Sequence, residues 1–189
     1  MSAPKILAFG GSLRARSSNN ALARFAASLS PSVVLAPKLD TLPFFDQDVE
    51  DAGIPSPVLA LRKLAFECNA FLFSTPEYNG FTSAALKNAI DWLSRAGPEG
   101  ASPLKGKPFA VMSAGGGMAG MRAQKNIIAI ANDFKMPQVG AETPVAIKLY
   151  DGVSRFDVTS GDLVDTAVKE QIAALLKQLE AAAAAHKSA

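Results

Sequence analysis

The chain has 189 residues, of which 49% are hydrophobic and 19% charged, a composition typical of globular rather than disordered proteins. The formal net charge is only +2 and the basic residues are spread along the chain, which argues against a nucleic-acid or membrane partner. The single cysteine, Cys68, excludes an internal disulfide, and the apolar run at 6–9 is too short for a signal peptide or a membrane span. We therefore expect a soluble, cytoplasmic protein.

Short apolar segments alternate with amphipathic ones, which predicts strands and helices in turn. The predicted strands are 5–9, 32–36, 70–74, 107–113 and a fifth within 139–149. The predicted helices are 18–30, 58–66, 83–94, 121–134 and 162–185. Residues 39–57 are rich in Pro, Asp and Gly and are predicted as a long loop, and the alanine-rich end from about 181 to 189 as a loose tail.

Strands that are short and continuously apolar, each followed by a helix, are typical of a parallel sheet covered on both faces. The sequence thus predicts an α/β fold, a doubly wound five-stranded sheet, in one domain over residues 1–189. Ligands of such folds bind at the carboxyl ends of the strands, in the loops that lead to helices. Three of these loops have unusual compositions.

The first loop, residues 10–20, joins a glycine-rich turn to a helix start, where free backbone N–H groups and the helix dipole favour an anion. It also carries hydroxyl, amide and guanidinium donors: Ser12, Arg14, Arg16, Ser17, Ser18 and Asn19. An ordinary helix cap would need one of these serines and not the whole set, so the loop predicts a site for a phosphate monoester. No Gly-Lys-Ser/Thr follows the turn, which argues against a nucleoside triphosphatase.

The second loop is Ser74-Thr-Pro-Glu-Tyr-Asn-Gly80, in which Pro76 fixes one backbone angle and Gly80 permits a positive φ. In a ligand-binding loop, Tyr78 could form a flat wall beside a planar ligand. The alternative is that the loop is only a turn that caps the next helix. The third loop, residues 113–120, contains a G-x-G-x-x-G match at Gly115, Gly117 and Gly120.

That fingerprint belongs to the first strand–helix turn of a dinucleotide fold, whereas here it follows the fourth predicted strand. We therefore interpret its glycines as letting the backbone approach a flat ligand closely. One phosphate loop and two loops able to flank a planar ring predict a mononucleotide, and flavin mononucleotide (FMN) would fit.

The chain contains the motifs Gly11-Ser-Leu-Arg14 with Ser17 and Asn19, Leu42-Pro-Phe-Phe-Asp46, Pro76-Glu-Tyr-Asn-Gly80, Leu86-Lys-Asn-Ala-Ile-Asp-Trp92, Ser113-Ala-Gly-Gly-Gly117 and Met121-Arg-Ala-Gln124. Together these motifs resemble one family, the NAD(P)H-dependent FMN reductases, a group that includes flavodoxin-like quinone, azo-dye and chromate reductases. The motifs run over nearly the whole chain. The resemblance implies a flavodoxin-like fold and a bound FMN that takes hydride from NADPH or NADH and passes two electrons to a quinone or a similar acceptor.

The resemblance also implies the cofactor-binding residues. Ser12, Arg14, Ser17 and Asn19 would hold the phosphate, with Ser18 or Asn20 as alternatives because the stretch 17–20 is ambiguous by one position. The ring would lie between a loop of Pro76, Glu77, Tyr78, Asn79 and Gly80 and a loop of Ser113, Gly115, Gly116 and Gly117. No catalytic side chain and no metal site is implied.

Relatives in this family are dimers or tetramers, so the resemblance implies a homodimer or homotetramer. The predicted helix with Leu86, Ile90 and Trp92 is a candidate interface, and core packing is the alternative. A flavodoxin-like electron carrier without pyridine-nucleotide activity is the alternative function, although such carriers are usually acidic and have a Thr-rich phosphate loop. A dehydrogenase that binds NAD at the third loop would hold no flavin.

Overall fold

The computed structural model describes residues 5–97 and 100–187. The strands are β1 (Ile6–Gly10), β2 (Val33–Leu35), β3 (Ala70–Thr75), β4 (Glu77–Tyr78), β5 (Phe81–Thr82), β6 (Phe109–Gly115) and β7 (Val145–Lys148). The helices are α1 (Ser18–Leu29), α2 (Gln47–Ala52), α3 (Ser56–Glu67), α4 (Ala84–Ser94), α5 (Met121–Asp133) and α6 (Thr166–Lys187).

Five strands form one parallel sheet in the order β2-β1-β3-β6-β7. Counted along the chain within this sheet, the order is 2-1-3-4-5, which is that of flavodoxin-like doubly wound folds. The strand order reverses between β1 and β3, where Gly10 lies beside Ser74. The predicted α/β fold is confirmed, and the loops after β1 and β3 face each other across the crevice where such folds bind ligands.

Side chains alternate between the two faces of the central strands, and both faces are buried. Leu7, Phe9, Phe71 and Phe73 belong to the core on one face, which α3, α4 and α5 cover. The other face is covered by α1 and α6. Burial on both faces explains why these strands read as continuous apolar runs in the sequence.

Helix α4 contributes its apolar side chains to the first of these cores. Leu86, Ile90 and Trp92 are all buried, and the indole Nε1 of Trp92 donates to the backbone oxygen of Pro43 at 2.8 Å. These side chains were predicted either to form a subunit interface or to pack in the core, and the structure shows that they pack in the core.

The segment predicted as a loop at 39–57 contains a 3-10 turn, Leu39–Thr41, and the short helix α2. The Asp46 carboxylate caps α2 by accepting from the backbone N–H of Asp48 at 2.9 Å. Helix α3 also begins earlier than predicted, at Ser56, with Pro57 in its first turn, where the missing N–H of proline costs nothing.

Helix α6 starts at Thr166 rather than at residue 162. The Asp165 carboxylate, directly before this start, accepts a hydrogen bond from the backbone N–H of Val168 at 3.0 Å. It continues to Lys187, through the segment for which a loose tail is predicted. Alanine has the highest helix propensity, and Ala183 is fully buried against the sheet, which explains the extension. The last two residues of the predicted tail, 188–189, lie outside the described residues.

Candidate functional site

A cleft of about 190 Å³ opens at the carboxyl edge of the sheet, at the point where the strand order reverses. Three predicted loops meet there. The predicted residues that line the cleft are Ser12, Arg14, Ser17, Ser18, Asn19, Pro76, Glu77, Tyr78, Gly115 and Gly116. The predicted residues that do not line it are Asn79, Gly80, Ser113 and Gly117.

The first loop presents its donors at the start of α1. Ser17 is the N-cap, and its Oγ accepts from the backbone N–H of Asn20 at 3.3 Å. Ser18 and Asn19 follow as the first helical residues, whose N–H groups have no acceptor within the helix. The Arg14 side chain is exposed at the same cleft. Free N–H groups, hydroxyls and one guanidinium form a donor set suited to a phosphate.

Asn20 shapes this loop from within. Its Nδ2 donates to the backbone oxygen of Ser12 at 2.8 Å, and its Oδ1 accepts from the Ser12 N–H at 3.3 Å. A Cβ at Gly10 would lie 2.5 Å from Oδ1, so glycine is required there. Asn20, the alternative phosphate ligand in the sequence, therefore has its amide engaged in folding the loop. Arg16 also points elsewhere, since its Nη1 donates to the backbone oxygen of Val158 at 2.9 Å.

The side chain of Asn19 joins the three loops. Only 3% of the residue is exposed. Nδ2 donates to the backbone oxygen of Ala114 at 2.8 Å, while Oδ1 accepts from the Ala114 N–H at 2.9 Å and from the Ser74 hydroxyl at 3.3 Å. Asn19 thus fixes the loop after β1 against the ends of β3 and β6, in addition to lining the cleft.

The second loop is a β-hairpin made of β4 and β5. Its two tip residues, Asn79 and Gly80, have positive φ angles of 52° and 81°, as a type I′ turn requires. The positive φ angles explain why Asn and Gly occupy these two positions. Both residues lie at the tip of the hairpin and do not line the cleft. Tyr78, before the tip, is 54% exposed and forms a wall of the cleft.

Glu77 connects this hairpin to α5. Its Oε1 accepts from the Nε of Arg122 at 2.7 Å, and its Oε2 accepts from the Arg122 backbone N–H at 3.1 Å. The carboxylate is largely buried and lies at the positive end of the helix dipole. Glu77 therefore orients the wall that carries Tyr78.

The third loop contains glycines of two kinds. A Cβ at Gly115 would lie 2.7 Å from the Gly120 backbone nitrogen, and a Cβ at Gly120 would lie 2.6 Å from the Ser113 Cβ. These two glycines allow the loop to pack on itself, and Gly115 also lines the cleft. The position of a Cβ at Gly116 has no atom within 4 Å, so this glycine does leave open space at the cleft.

Ser113 has a structural role in the same loop. It is fully buried, its Oγ donates to the backbone oxygen of Ala119 at 2.7 Å, and the Gln124 amide donates to that Oγ at 2.8 Å. Its hydroxyl therefore supports the turn into α5 rather than the cleft.

The cleft is also lined by three residues that were not predicted as site residues, namely Ala114, Leu149 and Tyr150. Leu149 donates its N–H to the backbone oxygen of Gly115 at 2.7 Å and so brings the segment after β7 to the third loop. The chain has two tyrosines, Tyr78 and Tyr150, and both line this cleft. The position of Tyr150 directly after the last predicted strand was the signal that could have identified it.

Tyr150 has a strained backbone, with φ at 63°, and is 94% exposed. An ion pair holds the turn that follows: Arg155 donates to both carboxylate oxygens of Asp151 at 2.7 and 2.9 Å, and to the backbone oxygen of Lys148 at 3.0 Å. The hydrogen bond from Arg155 lowers the pKa of Asp151 to about 2. Strain of this kind persists where neighbouring contacts impose it, and it concentrates at binding sites.

The cleft suits a flavin nucleotide better than a metal. Within residues 5–97 and 100–187, no group of three His, Cys, Asp or Glu side chains could hold a metal ion. Cys68 is buried, and burial raises the pKa of its thiol. The donors at the start of α1 match a phosphate, and Tyr78, Tyr150 and Gly116 offer flat or open surfaces for a planar ring. The residues present therefore fit FMN.

Comparison with known proteins decides the family. Residues 4–148 match the profile of the NADPH-dependent FMN reductases. An NADPH:quinone oxidoreductase of Arabidopsis thaliana is 33% identical over 183 residues, covering 94% of this chain and 90% of the relative. The chain belongs to the NADPH-dependent FMN reductase family.

Further relatives agree with this assignment. An NAD(P)H-dependent FMN reductase of Pseudomonas aeruginosa is 41% identical over 127 residues, covering 65% of this chain and 66% of the relative. The structure of FerB, a flavoenzyme NAD(P)H:(acceptor) oxidoreductase from Paracoccus denitrificans, superimposes with a TM-score of 0.77 at 25% identity, covering 95% and 98% of the two chains.

Among the described residues, no helix is long and apolar enough to cross a membrane.

Proposed function

We propose that this protein is an FMN-dependent NAD(P)H oxidoreductase that delivers two electrons to a quinone or a similar flat acceptor. The observation that carries the proposal is the donor-rich start of α1, placed at the reversal of strand order beside a cleft with two tyrosine walls. Family membership and the names of the relatives support the same activity.

The phosphate end of the cofactor is held by the first loop in this proposal. The N–H groups of Ser18 and Asn19 and the hydroxyls of Ser12 and Ser17 would donate to the phosphate, and Arg14 would supply positive charge. The Asn19 amide keeps the loop in place through Ala114. When bound, FMN supplies the redox chemistry by accepting hydride from NAD(P)H and releasing two electrons to the acceptor.

The ring end of the cleft is formed by the other loops. Pro76, Tyr78 and Gly116 line the cleft and would flank the ring, while Glu77 holds the hairpin against Arg122. Tyr150 stands at the mouth, where its exposed side chain can stack on a flat substrate. One open mouth predicts that donor and acceptor bind in turn at the same surface.

The assembly proposed for this enzyme is a homodimer or homotetramer in the cytoplasm. Exposed apolar side chains near the cleft support an interface there, since Phe81 on the hairpin and Met118 before α5 are both more than half exposed. The free thiol of Cys68 supports a reducing compartment.

The direct test is NADPH consumption by the FMN-loaded protein with 1,4-benzoquinone as acceptor and no partner protein. We expect steady turnover with one quinone reduced per NADPH oxidised. A flavin-loaded protein that passes electrons only to or from another protein would contradict the proposal and favour an electron carrier. The FMN-free protein, assayed in parallel, is the control for direct reaction between NADPH and quinone.

A further inference from the structure

A second cavity lies on the other side of the turn that follows β1. It has a volume of about 410 Å³, is open to solvent on one side and is lined by that turn, by α1 and by the segment after β2. Leu13, Leu35 and Leu39 give it an apolar lining. Cavities of this volume with a largely apolar lining typically bind small organic molecules. The apolar lining therefore favours an organic ligand over an inorganic anion.

The charged groups around this cavity are mostly positive. Arg14, Arg24 and Lys38 line it, and Asp40 is the opposing carboxylate. Arg24 is held by an exposed ion pair with Asp162 at 2.8 Å. Within residues 5–97 and 100–187, the ammonium of Lys38 has no hydrogen-bond or ion-pair partner. The cavity therefore combines an apolar lining with a net positive charge, which suits a flat molecule with an attached anionic group.

The two cavities share a wall. Ser12 and Arg14 line both the 190 Å³ cleft and the 410 Å³ cavity, and the Asn20 side chain holds the backbone of Ser12 between them. A ligand that extends over this turn can therefore contact both. A dinucleotide donor has two halves, and only its nicotinamide half is accounted for by the cleft with the tyrosine walls.

We propose that this second cavity binds the phosphorylated adenosine half of NADPH, with Lys38 and Arg24 contacting its 2′-phosphate. The adenine ring lies on the apolar side chains, and the two cations select the phosphorylated nucleotide over NADH. The inference rests on the proposed function and adds the residues that determine which donor is preferred.

Binding of 2′,5′-ADP to the FMN-loaded protein tests this assignment without relying on turnover. Calorimetry is expected to show that 2′,5′-ADP binds roughly tenfold more tightly than 5′-ADP, and that added salt narrows the difference. Lys38→Glu is expected to abolish the preference, and Arg24→Gln to reduce it. Lys63→Glu makes the same charge change at an exposed lysine of α3 outside both cavities and serves as the matched control.

Steady-state kinetics give a second readout. In Lys38→Glu, the ratio of kcat/KM for NADPH to that for NADH is expected to fall roughly tenfold, mainly through the KM for NADPH. Equal affinity for the two adenosine nucleotides, or an unchanged preference in Lys38→Glu, would overturn the proposal. So would binding of inorganic phosphate as tight as that of 2′,5′-ADP, since the adenosine would then contribute nothing.

The same experiments separate this inference from the proposed function. A protein that holds FMN and oxidises NADPH, yet shows no preference for 2′,5′-ADP, would retain the function and lose the second cavity as a donor site. A protein that binds 2′,5′-ADP selectively but oxidises neither NADPH nor NADH would keep the second cavity as a nucleotide-binding site and would contradict the proposed function.

Discussion

Asn19 and Ala114 form a reciprocal pair of hydrogen bonds: the side-chain amide donates to the Ala114 oxygen at 2.8 Å and accepts from the Ala114 N–H at 2.9 Å. Both residues are buried. The pair bridges the start of α1 and the carboxyl end of β6, which carry opposite walls of the cleft. The relative position of these walls is therefore set by the protein before any cofactor binds.

Asn19→Ala is expected to destabilise the FMN-free protein by about 2–4 kcal/mol, because it leaves the buried N–H and C=O of Ala114 without partners. Urea unfolding of the FMN-free protein measures the loss. Ser18→Ala, at the neighbouring cleft residue, is the control and is expected to change little. If Asn19 served only the cofactor phosphate, Asn19→Ala would unfold like the wild type in the absence of FMN.

Arg14→Ala is expected to weaken FMN binding about 10- to 100-fold, since it removes a charge-assisted contact to the phosphate. Equilibrium dialysis or quenching of flavin fluorescence gives the dissociation constant. Arg16→Ala removes the same charge from the same loop, but Arg16 bonds to Val158 outside the cleft. Equal losses in the two variants would show that general charge, and not a contact from Arg14, retains the cofactor.

Tyr150→Gly is expected to stabilise the fold by about 0.5 kcal/mol while raising the KM for the quinone. Glycine adopts the positive φ at this position without steric cost, and the tyrosine side chain has almost no burial to lose. Chemical denaturation and steady-state kinetics measure the two effects. If the variant is stabilised but its KM for the quinone is unchanged, Tyr150 does not contact the substrate, and its positive φ affects only the stability of the fold.

Lys107 gives the fold a pH dependence. Burial lowers its pKa from 10.5 to about 8, and its Nζ donates to the backbone oxygen of Ala65 at 2.7 Å. Between pH 8 and 10.5 the unfolded chain holds more protons at this residue, so its contribution to the unfolding free energy rises with pH. The raised pKa of Cys68 acts in the opposite direction above pH 9.

The comparison of wild type with Lys107→Met isolates the lysine. We expect the difference in unfolding free energy to shift in favour of the wild type between pH 7.5 and pH 10. Lys63→Met, at an exposed lysine, is expected to follow the wild-type pH dependence. Parallel curves for the wild type and Lys107→Met would contradict the lowered pKa.

The parallel sheet and the positions of its loops were predictable because buried strands and glycine-rich turns have strong local signals. The run before Gly10 and the serines after it were enough to predict a donor-rich turn between β1 and the start of α1. Helix α2 was missed because none of its residues is buried, so that its sequence has no apolar periodicity and only the Asp46 cap marks it.

The roles within the site were harder to predict than its location. A buried amide such as that of Asn19 and a hydroxyl such as that of Ser113 have the same donors and acceptors whether they bind a ligand or the backbone. Only the folded chain shows that Ala114 and Ala119 are their partners. For Tyr150, the position directly after the last predicted strand was a local signal, but its place in the cleft depends on the tertiary contact between Leu149 and Gly115.

The most direct test of the central claim is the visible absorption spectrum of the purified protein after FMN is added and the excess removed. NADPH is then added without oxygen. We predict a protein-bound flavin band that bleaches on addition of NADPH. A protein that retains no flavin band would contradict the assignment of the cleft at the start of α1.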